Sequence, residues 1–106
     1  MTKRYSIVGT QYTGTPESFV AALQPGTPVK LVREPNNPKD TNAVAVYVDS
    51  TRIGYVPMKQ NAVLAQFIDA EGRPPLAMDS ITGAGRIIEG KFVRSPKSGF
   101  PMVEVA

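Results

Sequence analysis

The side chains that most often do chemistry near neutral pH are missing from this sequence. It contains no His and no Cys. That removes the usual general base, the thiolate nucleophile and the commonest transition-metal ligands. Ser-His-Asp, Cys-His and HExxH arrangements go with them. What remains is nine Asp+Glu and twelve Lys+Arg. Asp49, Asp69 and Asp79 have no metal-like spacing. Gly83-Ala84-Gly85 lacks the lysine and the strand-to-helix context of a phosphate-binding loop. No catalytic residue, no metal and no cofactor is expected, and the chain reads as a non-enzyme. The strongest loop signal is Pro35-Asn36-Asn37-Pro38-Lys39-Asp40, with two Pro and two Asn in six residues. Asp in such a setting commonly accepts backbone N–H bonds in an Asx-turn.

The elements that must hold this loop are short. The 106 residues fit one domain, here taken as 1–106, and exclude two independent cores. Ten Pro and nine Gly are too many for a helical bundle and too few for disorder. Arg4 to Tyr12 carries β-formers and predicts a strand ending at Tyr12, with a bulge or close backbone approach at Gly9. Thr15 and Pro16 predict the start of a short helix to Leu23. Pro28–Glu34 and Ala43–Val48 read as strands, and Arg52–Val56 pairs back on the latter as a hairpin. Val63, Leu64, Phe67 and Ile68 mark the apolar stripe of a helix from about Met58 to Ala70. They and Phe19, Val20 and Leu23 are expected in the core. Leu76–Phe92 holds one or two strands broken near Gly83-Ala84-Gly85, and Phe100–Val105 closes the chain. The order β-α-β-β-β-α-β-β predicts a mainly β fold, a small barrel of about six strands with two short helices.

The net charge of +3 and pI near 9.4 suit a phosphate-bearing partner, or solubility alone. No signal-peptide pattern and no 18-residue apolar stretch is present, so a cytoplasmic protein without a membrane partner is expected.

Three stretches together resemble the HIRAN domain family: Val8-Gly9-Thr10-Gln11-Tyr12, the run Leu31 to Val46, and Ile53-Gly54-Tyr55-Val56-Pro57. The middle run, with Arg33-Glu34-Pro35-Asn36-Asn37-Pro38-Lys39-Asp40-Thr41-Asn42-Ala43, is the most specific. The resemblance spans about residues 4–93. It implies an oligonucleotide-binding (OB)-like barrel with two accessory helices. It also implies a single-stranded DNA-binding module that recognises a free 3′-hydroxyl end in repair or replication-fork processing, with a helicase or nuclease as partner.

On that resemblance, Tyr12 offers a ring for stacking, and Asp40 accepts the terminal hydroxyl while repelling a 3′-phosphate. Asn37 meets a base edge or braces the loop, and Asn42 braces it. Lys59 supplies nearby positive charge, as do Lys30 and Arg33 if their strand faces the groove. The chain departs from the animal helicase-borne member at three places. Gln11 stands for an Arg, Lys39 for an aromatic, and Tyr55 for a phosphate-binding His. Gln11 and Tyr55 weaken phosphate contact, while Lys39 cannot stack on a base but adds positive charge near phosphates; the three departures favour a rival reading, a protein-interaction domain that keeps the fold without binding DNA. A nuclease or ligase accessory built on Asp40 and a metal is the weakest reading, because no second carboxylate lies suitably near in sequence.

Overall fold

Short runs rich in β-forming residues give six strands among the described residues: β1 (Lys3–Ser6), β2 (Pro28–Arg33), β3 (Val44–Val48), β4 (Thr51–Tyr55), β5 (Ile87–Arg94) and β6 (Pro101–Val105). A computed structural model describes residues 2–81 and 85–106. The strands form one antiparallel sheet in the order β1-β6-β5-β2-β3-β4. Its two edges touch. Val8, just beyond β1, exchanges both backbone hydrogen bonds with Tyr55 at the end of β4, each 2.8 Å long. The sheet therefore curls into an OB-like half-barrel. Two α-helices accompany it, α1 (Glu17–Ala21) and α2 (Met58–Glu71). The mainly β class and the expected element order are both found.

The touching edges depend on Gly54. A Cβ there would lie 2.7 Å from Ile7 Cγ2 and 2.7 Å from the Val8 carbonyl oxygen. The close approach expected at Gly9 thus falls at Gly54 instead. Gly9, with φ of 75°, opens a 3-10 turn over Thr10–Tyr12. So the first strand stops at Ser6, and Tyr12 sits on a turn rather than at a strand end.

The core joins Val29, Leu31, Val44, Val46, Ile53, Phe92 and Val103 of the sheet to Leu64, Ala65 and Ile68 of α2 and Val20 of α1. Three residues expected there are not in it. Phe19 and Phe67 are exposed, and Val63 is 70% exposed. The buried face of α2 is Asn61, Leu64, Ala65 and Ile68, an i, i+3, i+4, i+7 set. It is turned from the expected stripe because a polar residue occupies one of its places. With α1 only five residues long, only Val20 of it is fully buried.

Arg33 and Lys30 are engaged elsewhere than in a groove. Arg33 is buried; its Nε donates to Asp69 Oδ1 at 2.9 Å, and its terminal nitrogens donate to the carbonyls of Ala43 (2.8 Å) and Thr41 (3.0 Å). Lys30 pairs with buried Asp79 at 3.2 Å. Asp79 also accepts a two-pronged bond from Arg73 and the Leu76 N–H. The Arg73 guanidinium foremost, with that amide, holds its carboxyl well below the usual carboxylate range. Of the expected break near Gly83-Ala84-Gly85, Gly83 and Ala84 lie outside the described residues. What precedes β5 includes a 3-10 turn at Ala77–Asp79. Among the described residues no helix is long and apolar enough to cross a membrane.

Candidate functional site

Between β2 and β3 the chain makes successive tight turns. Asn37 N–H bonds to the Glu34 carbonyl (3.1 Å), Asp40 N–H to Asn37 (3.3 Å), and Ala43 N–H to Asp40 (3.1 Å). The side chains lock these turns. Asn37 Oδ1 accepts the Lys39 N–H at 2.9 Å, and its Nδ2 donates to Glu34 Oε1 at 3.1 Å. Asn37 therefore braces the loop. Asp40 Oδ1 accepts the Asn42 N–H at 2.9 Å, which is the expected Asx-turn; Asn42 takes part through its backbone. The other oxygen, Oδ2, accepts from Asn61 Nδ2 at 2.7 Å. Asn61 is only 2% exposed, so the loop carboxylate is tied to the buried face of α2.

The loop forms one wall of a groove of about 440 Å³. The 3-10 turn, the end of β4 and the start of α2 supply the rest. Five of the seven candidate residues line it: Tyr12, Asn37, Lys39, Asp40 and Tyr55. Tyr12 is 82% exposed, its ring open to solvent. Gln11 instead lines an adjoining groove with Glu17, Arg94 and Phe100; the two grooves share only Val8 and Gly9. Lys59 is exposed on α2, but its neighbour Met58 is the residue at the groove.

Tyr55 is committed within the protein. Its hydroxyl donates to Glu34 Oε1 at 2.9 Å and accepts from Arg52 Nη1 at 3.0 Å. Burial, then the hydrogen bond to Glu34, pushes its ionisation up to about 12. The hydroxyl stays protonated and its proton faces a carboxylate. Among the described residues no group of three or more carboxylates stands together as a metal site.

Three groups escaped sequence reasoning: Glu34, which ties Asn37 to Tyr55; Asn61; and Arg52, which also lines the groove. Asn61 left one signal, a polar residue at helical spacing from Leu64, Ala65 and Ile68. Arg52 left none. Val46 pairs with Gly54 but Tyr47 with Arg52, so β4 carries one extra residue there. The bulge shifts the alternation and brings Arg52 and Tyr55, three apart, to one side.

Comparison with known families fits this arrangement. The HIRAN domain model matches residues 2–75. The chain belongs to the HIRAN domain family. The HIRAN match includes the loop, Tyr12, Tyr55 and α2, and stops before β5. Two solved structures share the fold. One, a protein from Lactobacillus plantarum, superposes with a TM-score of 0.71 at 21% identity, covering 98% of this chain and 92% of that one. The HIRAN domain of human HLTF superposes with a TM-score of 0.64 at 22% identity, covering 97% of this chain and 71% of that one. Among curated proteins none matches.

Proposed function

We propose that this HIRAN domain is a non-catalytic module that binds single-stranded DNA and holds its 3′ end in the groove between the Pro35–Asp40 loop and Tyr12. The observation that carries the reading is the gathering of Tyr12, Asn37, Lys39, Asp40 and Tyr55 around one groove, from three segments distant in sequence. The groove has the volume of a small-ligand site, about 300–1,000 Å³. Tyr12 gives a base or sugar an open aromatic face, worth about 1–3 kcal/mol per stacked base. Asp40 already accepts one bond on each oxygen. Each oxygen keeps a second lone pair for the 3′-hydroxyl. The same negative charge repels a 3′-phosphate. Lys39, exposed on the rim, meets the phosphate next in line. Membership in the HIRAN family supports a nucleic-acid ligand. Strand ends of this kind arise in repair and fork processing, with a helicase or nuclease as the protein partner.

The test is a fluorescence titration with short strands ending in a 3′-hydroxyl, a 3′-phosphate or a blocked sugar, at two salt concentrations. The hydroxyl end binds tightest, and the salt slope is shallow, about 0.7 for each phosphate contact. Asp40→Asn keeps an acceptor for the Asx-turn but loses the charge, so it narrows the gap between hydroxyl and phosphate ends. No binding to any strand at low salt favours the second reading, a protein-interaction domain. Exposed Met58 beside the groove and the position of Gln11 outside it speak for that reading.

A further inference from the structure

Lys39 gives the groove one phosphate contact at its rim, and the Tyr55 hydroxyl is not free to add another. Its one proton is directed at Glu34. Arg52 lines the same groove and is differently placed. Its Nη1 donates to the Tyr55 hydroxyl, and its guanidinium lies 5.5 Å from the centre of the Tyr55 ring. Glu34 comes no closer than 3.9 Å, beyond hydrogen-bond reach, and its oxygens already serve Tyr55 and Asn37. Arg52 Nε is buried and has no partner among the described residues. A guanidinium edge is thus left unpaired beside a carboxylate that does not satisfy it. Unmet buried donors are costly, and the Nε–Nη2 edge matches two oxygens of a phosphate.

We propose that Arg52 is a phosphate-binding residue of the groove in addition to Lys39, with the Tyr55 hydroxyl positioning it. Turning outward, the guanidinium gives up its distant approach to Glu34 and pairs Nε and Nη2 with a backbone phosphate. Arg52 thereby supplies the charge that Tyr55 does not. This inference rests on the single-strand reading above and adds a second cation to the Lys39 that reading already places at a phosphate.

The experiment titrates a short strand with a free 3′-hydroxyl into wild type, Arg52→Gln, Arg52→Lys and Tyr55→Phe across a salt series. Arg52→Gln binds about tenfold more weakly, and its salt slope falls by about 0.7. Arg52→Lys keeps the slope but loses part of the affinity, since it has charge without the fork. Tyr55→Phe keeps the slope. Arg52→Gln equal to wild type in affinity and slope overturns the assignment while leaving the single-strand reading intact. Wild type that binds no strand at low salt overturns that reading and this one with it. Should Arg52→Gln not fold, the Arg52 Nε–H resonance of the wild type decides: it moves on addition of the strand, and a resonance that stays still overturns the assignment.

Discussion

Asn61 and Asp40 form a latch between α2 and the Pro35–Asp40 loop, and the latch has a measurable strength. Replacing Asn61 by Ala removes the donor 2.7 Å from Asp40 Oδ2. A hydrogen bond to a charged acceptor contributes about 1.5–3 kcal/mol. Asp40 is half-buried, so water takes over part of the vacated oxygen and the loss lies near the lower end, about 1.5 kcal/mol. For a domain of this size that lowers Tm by about 6–12 °C. The decisive measurement is a double-mutant cycle with Asp40→Ala, by urea unfolding. The two single losses should fail to add by about 1.5 kcal/mol, because either change alone breaks the same bond. A coupling below about 0.5 kcal/mol refutes the latch. Strand titration supplies the functional half. Asn61→Ala should weaken binding of the hydroxyl end although Asn61 itself does not line the groove. Affinity equal to wild type would mean that Asp40 needs no helix to aim it.

Two further outcomes follow from the barrel edge and the tyrosine. Gly54→Ala should destabilise by about 1–3 kcal/mol in urea unfolding, because the added methyl meets Ile7 and the Val8 carbonyl at 2.7 Å; unchanged stability would show that the edges need not touch. Tyr55 should ionise late, near pH 12, in an absorbance titration, and Tyr55→Phe should remove that late step. Because its folded value is raised above the ordinary 10, its contribution to stability is complete below pH 10 and is lost as pH rises toward 12; a titration in which Tyr55→Phe removes no step near pH 12 would contradict this.

The element order and the strands β2, β3 and β4 were legible in the sequence because they are short runs of β-forming residues bounded by Pro, Gly or Asn, whereas the first strand, Lys3–Ser6, was drawn too far along the chain. The loop was legible for the same reason, and so was the Asx-turn at Asp40, since it is made within three residues. What escaped was set across long separations. Arg33 looks like any surface cation on a strand. Its burial follows from Asp69, 36 residues away, and from the two carbonyls it reaches. Asn61 breaks an apolar pattern, yet the carboxylate that explains it lies 21 residues earlier. The bulge that brings Arg52 beside Tyr55 depends on strand register and not on any turn residue. Phe19, Val63 and Phe67 fall on apolar stripes at helical spacing, and that spacing does not report how wide a helix face the small barrel covers.

The clamp that Arg33 places on the loop bears on the kinetics of recognition. Its guanidinium grips the carbonyls of Thr41 and Ala43, while the Glu34 N–H bonds to Ala43 across the base. Fixing a backbone residue costs about 1–2 kcal/mol of entropy, and here that cost falls on folding rather than on ligand capture. On the proposed single-strand reading, the loop is already shaped when the strand arrives, with no ordering step between encounter and complex. Association should then run in a single kinetic phase whose rate rises linearly with ligand concentration, and the loop backbone should superpose in free and bound forms within about 1 Å.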